Sequence, residues 1–176
     1  PGTRLMWYPQ KAAFCAGYAS LTTWDKDYIG VFSVAMGNVS FAKGRASVSL
    51  GENNQAWSDN SFCAGYATAT FGKYGTAFGY LTSAYGIGST AIGYNTKAIG
   101  EYSFASGYLT TAYGVNSSAF GLGTYATVDN QVALGKYNDT SNANCIFGVG
   151  NGTSSSTRSN AFSVLLNGNA GIGTSS

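Results

Sequence analysis

Small and large side chains alternate along most of this chain, with a beat of seven residues. Glycine recurs at Gly30, Gly37, Gly44 and Gly51, then at Gly65, Gly72, Gly79, Gly86, Gly93, Gly100, Gly107, Gly114 and Gly121, and again at Gly135; only Ser58 and Val128 fall out of step. Alanine stands two residues before most of these glycines and Ser or Thr four before, so the unit reads Ser/Thr-x-Ala-x-Gly-x-x. In an extended strand alternate residues share a face, which gives one uniformly tiny face and one face of large, mixed side chains. A longer beat lies on top: Gly-Tyr pairs end at Tyr66, Tyr80, Tyr94 and Tyr108, fourteen residues apart. Two units therefore make one coil. Each coil is expected to hold two strands of about five residues, and each strand to pair with its equivalent in the next coil at roughly 4.8 Å. The tiny faces meet inside a thin roll, and the glycines from Gly65 to Gly121 are expected to form its corners.

A period of seven also belongs to coiled coils, but those need Leu or Ile at two positions of the repeat and good helix formers elsewhere. Here the fixed positions are Gly, Ala and Ser or Thr, and each helical glycine would cost about 1 kcal/mol relative to Ala. The expected fold class is all-β, a parallel β-roll or β-solenoid with coils of about 14 residues.

A roll lined by alanine buries little apolar surface. Its outward positions carry Phe71, Phe78, Tyr85, Ile92, Ile99, Tyr113, Phe120 and Leu134, each immediately before a glycine. A continuous apolar stripe of that length marks an interaction surface. The economical partner is a second copy of the same chain, with rolls packed around a shared axis and these eight side chains filling the middle.

Composition narrows the picture further. The chain has 25 glycines but two prolines, and only 9% of its residues are charged, against roughly 25% in an average soluble domain. Aromatic and aliphatic residues are plentiful enough for it to fold rather than remain a linker. The net charge of +2 is dispersed, without the basic stripe that a nucleic-acid partner needs. No apolar run approaches the ~20 residues of a membrane span, so no direct membrane insertion by this segment is expected. Cys15 and Cys63 replace alanine in the near-duplicate words AFCAGYAS and SFCAGYAT, and are read as small buried side chains. Cys145 lies outside the repeat.

Runs such as GSTAIGYNTKAIGEYSFASG at 88–107 and NSSAFGLGTYA at 116–126 resemble the head repeats of trimeric autotransporter adhesins, the YadA-like head. The likeness covers about residues 30–137. It implies a left-handed β-roll and an intertwined or side-by-side homotrimer. It also implies an extracellular location and a structural, adhesive role at the bacterial cell surface, with a glycan or an extracellular matrix protein as receptor. The same repeats occur in bacteriophage tail fibres, so a receptor-binding segment of a virion fibre is the alternative. Residues 1–29 resemble the lead-in and cap of such heads, and 138–176 a polar loop and a C-terminal hairpin leading out of the head. The absence of a coiled coil, anchor or chaperone after that point reads as a fragment or a processed piece. The hairpin has its own signal, because Phe162 to Leu166 alternates as a strand and Asn167-Gly168 favours a type I′ turn before Ala170. Val128, out of phase, predicts a local bulge or corner change near 124–131.

Candidate chemistry is thin. Histidine is absent and the seven acidic residues are scattered singly, so no nucleophile and base can be paired, and neither an enzyme nor a cofactor is expected. Asp25 and Asp27 are the nearest approach to a carboxylate pair and read as solvated turn residues. The tyrosines are the candidate binding groups. Tyr66, Tyr80, Tyr94 and Tyr108, with Tyr74 and Tyr102 at the alternate corner, are expected to stack in columns that either stiffen the rod or grip a repetitive ligand. An ice-binding solenoid is a further alternative, because regular Ser/Thr columns can order water.

Overall fold

The computed structural model describes residues 2–20 and 22–173, and within them the chain forms two sheets wound as a parallel β-solenoid without an α-helix. The longer sheet holds β1 (Gly2–Tyr8), β2 (Ala13–Ala19), β3 (Val34–Asn38), β5 (Val48–Glu52), β7 (Phe62–Tyr66), β9 (Thr76–Tyr80), β11 (Thr90–Tyr94), β13 (Phe104–Tyr108), β15 (Ser118–Leu122) and β17 (Val132–Lys136). It closes with β18 (Cys145–Asn151), β19 (Asn160–Leu165) and β20 (Ala170–Ile172). The shorter sheet stacks the two-residue strands β4 (Phe41–Ala42), β6 (Gln55–Ala56), β8 (Ala69–Thr70), β10 (Ser83–Ala84), β12 (Lys97–Ala98), β14 (Thr111–Ala112) and β16 (Tyr125–Ala126).

The fourteen-residue beat is the register of both sheets. Ala77 pairs with Ala91, Ala91 with Ala105 and Ala105 with Ala119, while Ala84 pairs with Ala98 and Ala98 with Ala112. The small-residue face points inward as expected: these alanines are fully buried, and so are Thr68, Thr82, Thr96, Thr110 and Thr124. Cys15 and Cys63 occupy the same inner column, in register with Ala35 and Ala77. Only small side chains let the two sheets lie this close, so the core is a file of methyl, hydroxyl and thiol groups rather than of leucines.

The two strands of a coil differ in length, five residues and two, where five and five were expected. The glycines follow that difference, which corrects their assignment as corners. Gly65, Gly79, Gly93, Gly107 and Gly121 lie inside the long strands, with φ between +118° and +127°. A Cβ on Gly93 would sit 2.1 Å from the Gly107 carbonyl oxygen of the next coil, so the position is closed to any other residue. Gly72, Gly86, Gly100 and Gly114 follow the short strands and do border a corner. The corner itself turns on the residue just before the inward-facing position that is Ser or Thr in most units, and is Gly75 after Tyr74 and Gln131 after Asn130. Asn60, Tyr74, Leu81, Asn95, Tyr102, Leu109, Asn116 and Asn130 all take φ of +49° to +61° there, as does Gly88 at +63°.

Val128 causes no bulge. Val132 and Ala133 pair with Ser118 and Ala119 in the unchanged fourteen-residue register, and Asn130 turns the corner as its equivalents do. The short sheet instead stops at β16, and its open edge is finished by side chains. Asn138 accepts the Tyr125 N–H on Oδ1 (2.8 Å) and donates from Nδ2 to the Tyr125 carbonyl (2.9 Å), as the peptide of a further coil would. Gln131 accepts the N–H groups of Thr127 (2.5 Å) and Val128 (3.3 Å) on Oε1. Arg158 lies over the Tyr125 ring (4.0 Å) and donates to the carbonyls of Gly123 and Asn138.

At the other end, six extra residues between β2 and β3 fold over the first coil, since Phe14 pairs with Val34 twenty positions on. Trp24 plugs the interior there, and its indole N–H donates to the Ser40 carbonyl (2.8 Å). Lys11 ties the same segment down by donating to the carbonyls of Lys26 and Ile29. The long sheet extends past residues 30 and 137 in both directions. β2 is already parallel to β3, β1 folds back antiparallel on β2, and β18 adds a parallel strand that the sequence did not reveal before β19 and β20 return as antiparallel strands. At Asn167-Gly168 only the glycine has a positive φ (+86°), so the turn is not the type I′ form, which needs two.

Candidate interaction surfaces

Stacking of identical coils converts each outward position into a column. Tyr66, Tyr80, Tyr94 and Tyr108 form a continuous one, with ring centroids 4.9, 4.9 and 4.7 Å apart and planes within 10° of parallel. The spacing is the coil repeat itself, so the backbone presets it and no ring needs to move to make the stack. Each ring remains about 40% or more exposed, which leaves the edge of the column and the hydroxyls in solvent. Tyr74 and Tyr102 do not extend this arrangement. They stand two coils apart in a corner column with Gly88 between them, and the Tyr102 ring lies over Gly88, where an added Cβ would meet it at 2.9 Å.

The eight large side chains before glycines separate into two groups. Phe78, Ile92, Phe120 and Leu134 lie at the middle of the long strands, in a column continued beyond Ala64 by Leu50 and Met36, with Ser106 between Ile92 and Phe120. Phe71, Tyr85, Ile99 and Tyr113 follow the short strands on the other sheet; Phe71 and Tyr85 stack at 4.9 Å, and Trp57 precedes them at 6.5 Å. Because Ala77 and Ala84 both face the interior, the two columns crown opposite sides of the roll. Exposure is 52% for Phe78 and 45% for Tyr85. No single flat contact covers both columns.

Among the described residues no three His, Cys, Asp or Glu side chains converge as metal ligands. Asp59 and Asp129 have structural work instead, accepting the N–H of Arg45 (2.9 Å) and of Val115 (2.8 Å) from the preceding coil. Asp25 and Asp27 sit exposed at a short 3-10 turn. Burial pushes the Cys15 thiol up to about 11 and the Cys63 thiol upward as well, so neither is a ready thiolate. The buried Thr82, Thr96, Thr110 and Thr124 hydroxyls form an internal column, which takes away the external array that ice binding by these residues would require.

The YadA head domain repeat family matches residues 42–62, 72–96, 84–110, 98–124 and 112–138, together half of the chain. The chain belongs to the YadA head family. No curated protein matches it. The matched repeats are coils of the roll, in 42–62 and again from 72 to the end cap at Asn138, and they make the protein an adhesin-like, β-solenoid head segment. YadA-like heads are structural, surface-exposed units that assemble from copies of themselves, and among the described residues no helix is long and apolar enough to cross a membrane. The Trp24 plug and the Arg158 side chain that clamps Tyr125 come from outside the matched repeats.

Proposed function

We propose that this chain is a rod segment of a homotrimeric extracellular fibre that attaches through its flank to a glycan or matrix-protein receptor. The supporting observation for assembly is the pair of apolar columns on opposite sides of the roll. A cyclic trimer has heterologous contacts, in which one patch of each copy meets a different patch of its neighbour. The long-strand column of Phe78, Ile92, Phe120 and Leu134 then packs towards the short-strand column of Phe71, Tyr85, Ile99 and Tyr113 on the next copy. Every copy uses both columns and none is left wet.

For attachment the supporting feature is the tyrosine column, an aromatic, charge-poor strip on each copy. One ring contributes a weak contact, but twelve rings in a trimer act as an array, and linked weak sites raise avidity by about 10²–10⁴. The tested variant is Tyr80→Ala with Tyr94→Ala, which interrupts the column at its centre without touching the buried file. Binding of the trimer to immobilised glycans and matrix proteins is expected to fall at least about tenfold, with unchanged circular dichroism. Undiminished binding would show that the rings only stiffen the rod. A bacterial surface fibre is the favoured setting for this segment.

A further inference from the structure

The outer face of the long sheet does not end where the coils end. Its mid-strand column runs on through both caps: Leu5 pairs with Ala16 and Ala16 with Met36 at one end, while Leu134 pairs with Val149, Val149 with Phe162 and Phe162 with Ile172 at the other. Residues paired directly across strands share a face, so these side chains stand in line with Phe78 and Ile92. A neighbouring column, nearer the strand starts, does the same, from Trp7 and Phe14 at one end to Phe147 and Val164 at the other. No charged residue stands in either column among the described strands. Thr76, Thr90, Ser106 and Ser118 dilute the middle of this band, whereas its ends are the more apolar part. Leu5 and Ile172 are 74% and 83% exposed, against 52% for Phe78.

We propose that the two caps are assembly contacts, and that each end of this band is covered by the same end of a second copy of the chain. The inference rests on the homotrimer reading above and extends it to strands outside the matched repeats. Length supports it. Strands stack at roughly 4.8 Å, so the long strands from β3 to β17 give a band about 35 Å long, and the whole sheet from β1 to β20 one of nearly 60 Å. At a width of about 10 Å the coils alone offer ~350 Å², an ordinary patch for a monomer; coils and caps together offer ~600 Å², most of the ~800 Å² that each partner in a stable complex buries. Symmetry names the surface that meets the caps. A closed ring of copies has no translation along its axis, so each cap lies level with the same cap of its neighbours. The short sheet cannot cover them, because it runs only from β4 to β16.

The test is Leu5→Asp with Ile172→Asp in the intact chain, followed by sedimentation equilibrium in a urea series. Both side chains are exposed in the single copy, so its circular dichroism is expected to stay unchanged, whereas an unpaired carboxylate is costly to bury between copies. Association is expected to weaken at least about a hundredfold, seen as three chain masses giving way to one at lower urea than in the wild type. Should the aspartates alter the circular dichroism, Leu5→Ser with Ile172→Ser is read in their place. Thr3→Asp is the control: it lies on the same strand as Leu5 but in line with Tyr18 and so with the tyrosine column, and it should leave the transition where it was. A wild-type trimer whose cap variants separate at the wild-type urea concentration, or no more readily than Thr3→Asp, overturns this inference and leaves the homotrimer standing. A wild type of one chain mass overturns both.

Discussion

Gly93→Ala is expected to prevent the roll from closing, with a loss of stability on the order of 4–5 kcal/mol, the range reached when a buried site is sterically forbidden. Two independent effects act together at that position. The backbone holds φ at +124°, where an L side chain is strained. The added methyl would also overlap the Gly107 carbonyl oxygen at 2.1 Å and approach its carbonyl carbon at 3.0 Å. Neither contact can relax alone, since Gly79 holds the same relation to Gly93 and Gly107 to Gly121. Gly168→Ala is the matched control. It has a positive φ of +86° but nothing within 4 Å of the new Cβ, so only the backbone term of roughly 1 kcal/mol remains. Chemical denaturation of the two variants should separate them by several kcal/mol.

Asn138→Ala should unravel the roll from its C-terminal end, at about 1–3 kcal/mol, the penalty for leaving hydrogen-bonding groups without partners. The Tyr125 N–H and carbonyl both lose their partner, and so does the Asp139 carbonyl, to which Nδ2 also donates at 3.2 Å. Arg158, through the Tyr125 ring and the Gly123 carbonyl, and Gln131, through the Thr127 and Val128 N–H groups, then hold the edge. Amide exchange should accelerate first at residues 124–128 while the alanine file around Ala91 remains protected, because opening begins where the next coil is missing. A uniform rise in exchange along the rod would show that the cap is not the weak point.

The repeating part of this structure was legible because every coil states it again. A small residue at each alternate position, and Gly-Tyr every fourteen, sufficed to place Ala77, Ala91 and Ala105 in one buried file and Tyr66 to Tyr108 in one stack. Corner geometry was hidden by the strength of the glycine signal. Close approach between coils, not turning, fixes Gly79 and Gly93, and the turning residue is the one before the inward-facing position that most units fill with Ser or Thr. Asn at 53, 60, 95, 116 and 130 and Gly at 88 and 123 carried that message, since both residues tolerate the left-handed region. Tyr74 and Leu81 masked it, being held there by the coils on either side.

Features that occur once had no period to betray them. Gln131 and Asn138 stand where Ser117 and Thr124 stand one coil earlier, and that substitution of carboxamide for hydroxyl was the available sign of an end cap. Val128 drew attention to the right neighbourhood for the wrong reason: its backbone follows the repeat, and its significance is that no further short strand follows β16. The aromatic cluster of Tyr28, Phe41 and Trp57 was equally unreadable, because it brings Tyr28 from the inserted segment beside Phe41 and Trp57 from successive coils.

The decisive measurement is the mass of the folded protein in dilute solution, by sedimentation equilibrium or light scattering. Covering Phe78 and Tyr85 at once requires two neighbours for every copy, and the smallest closed ring that supplies them is the proposed trimer, so three chain masses are predicted, unchanged across a wide range of concentration. A stable species of one chain mass, with those rings left in water, would contradict the account.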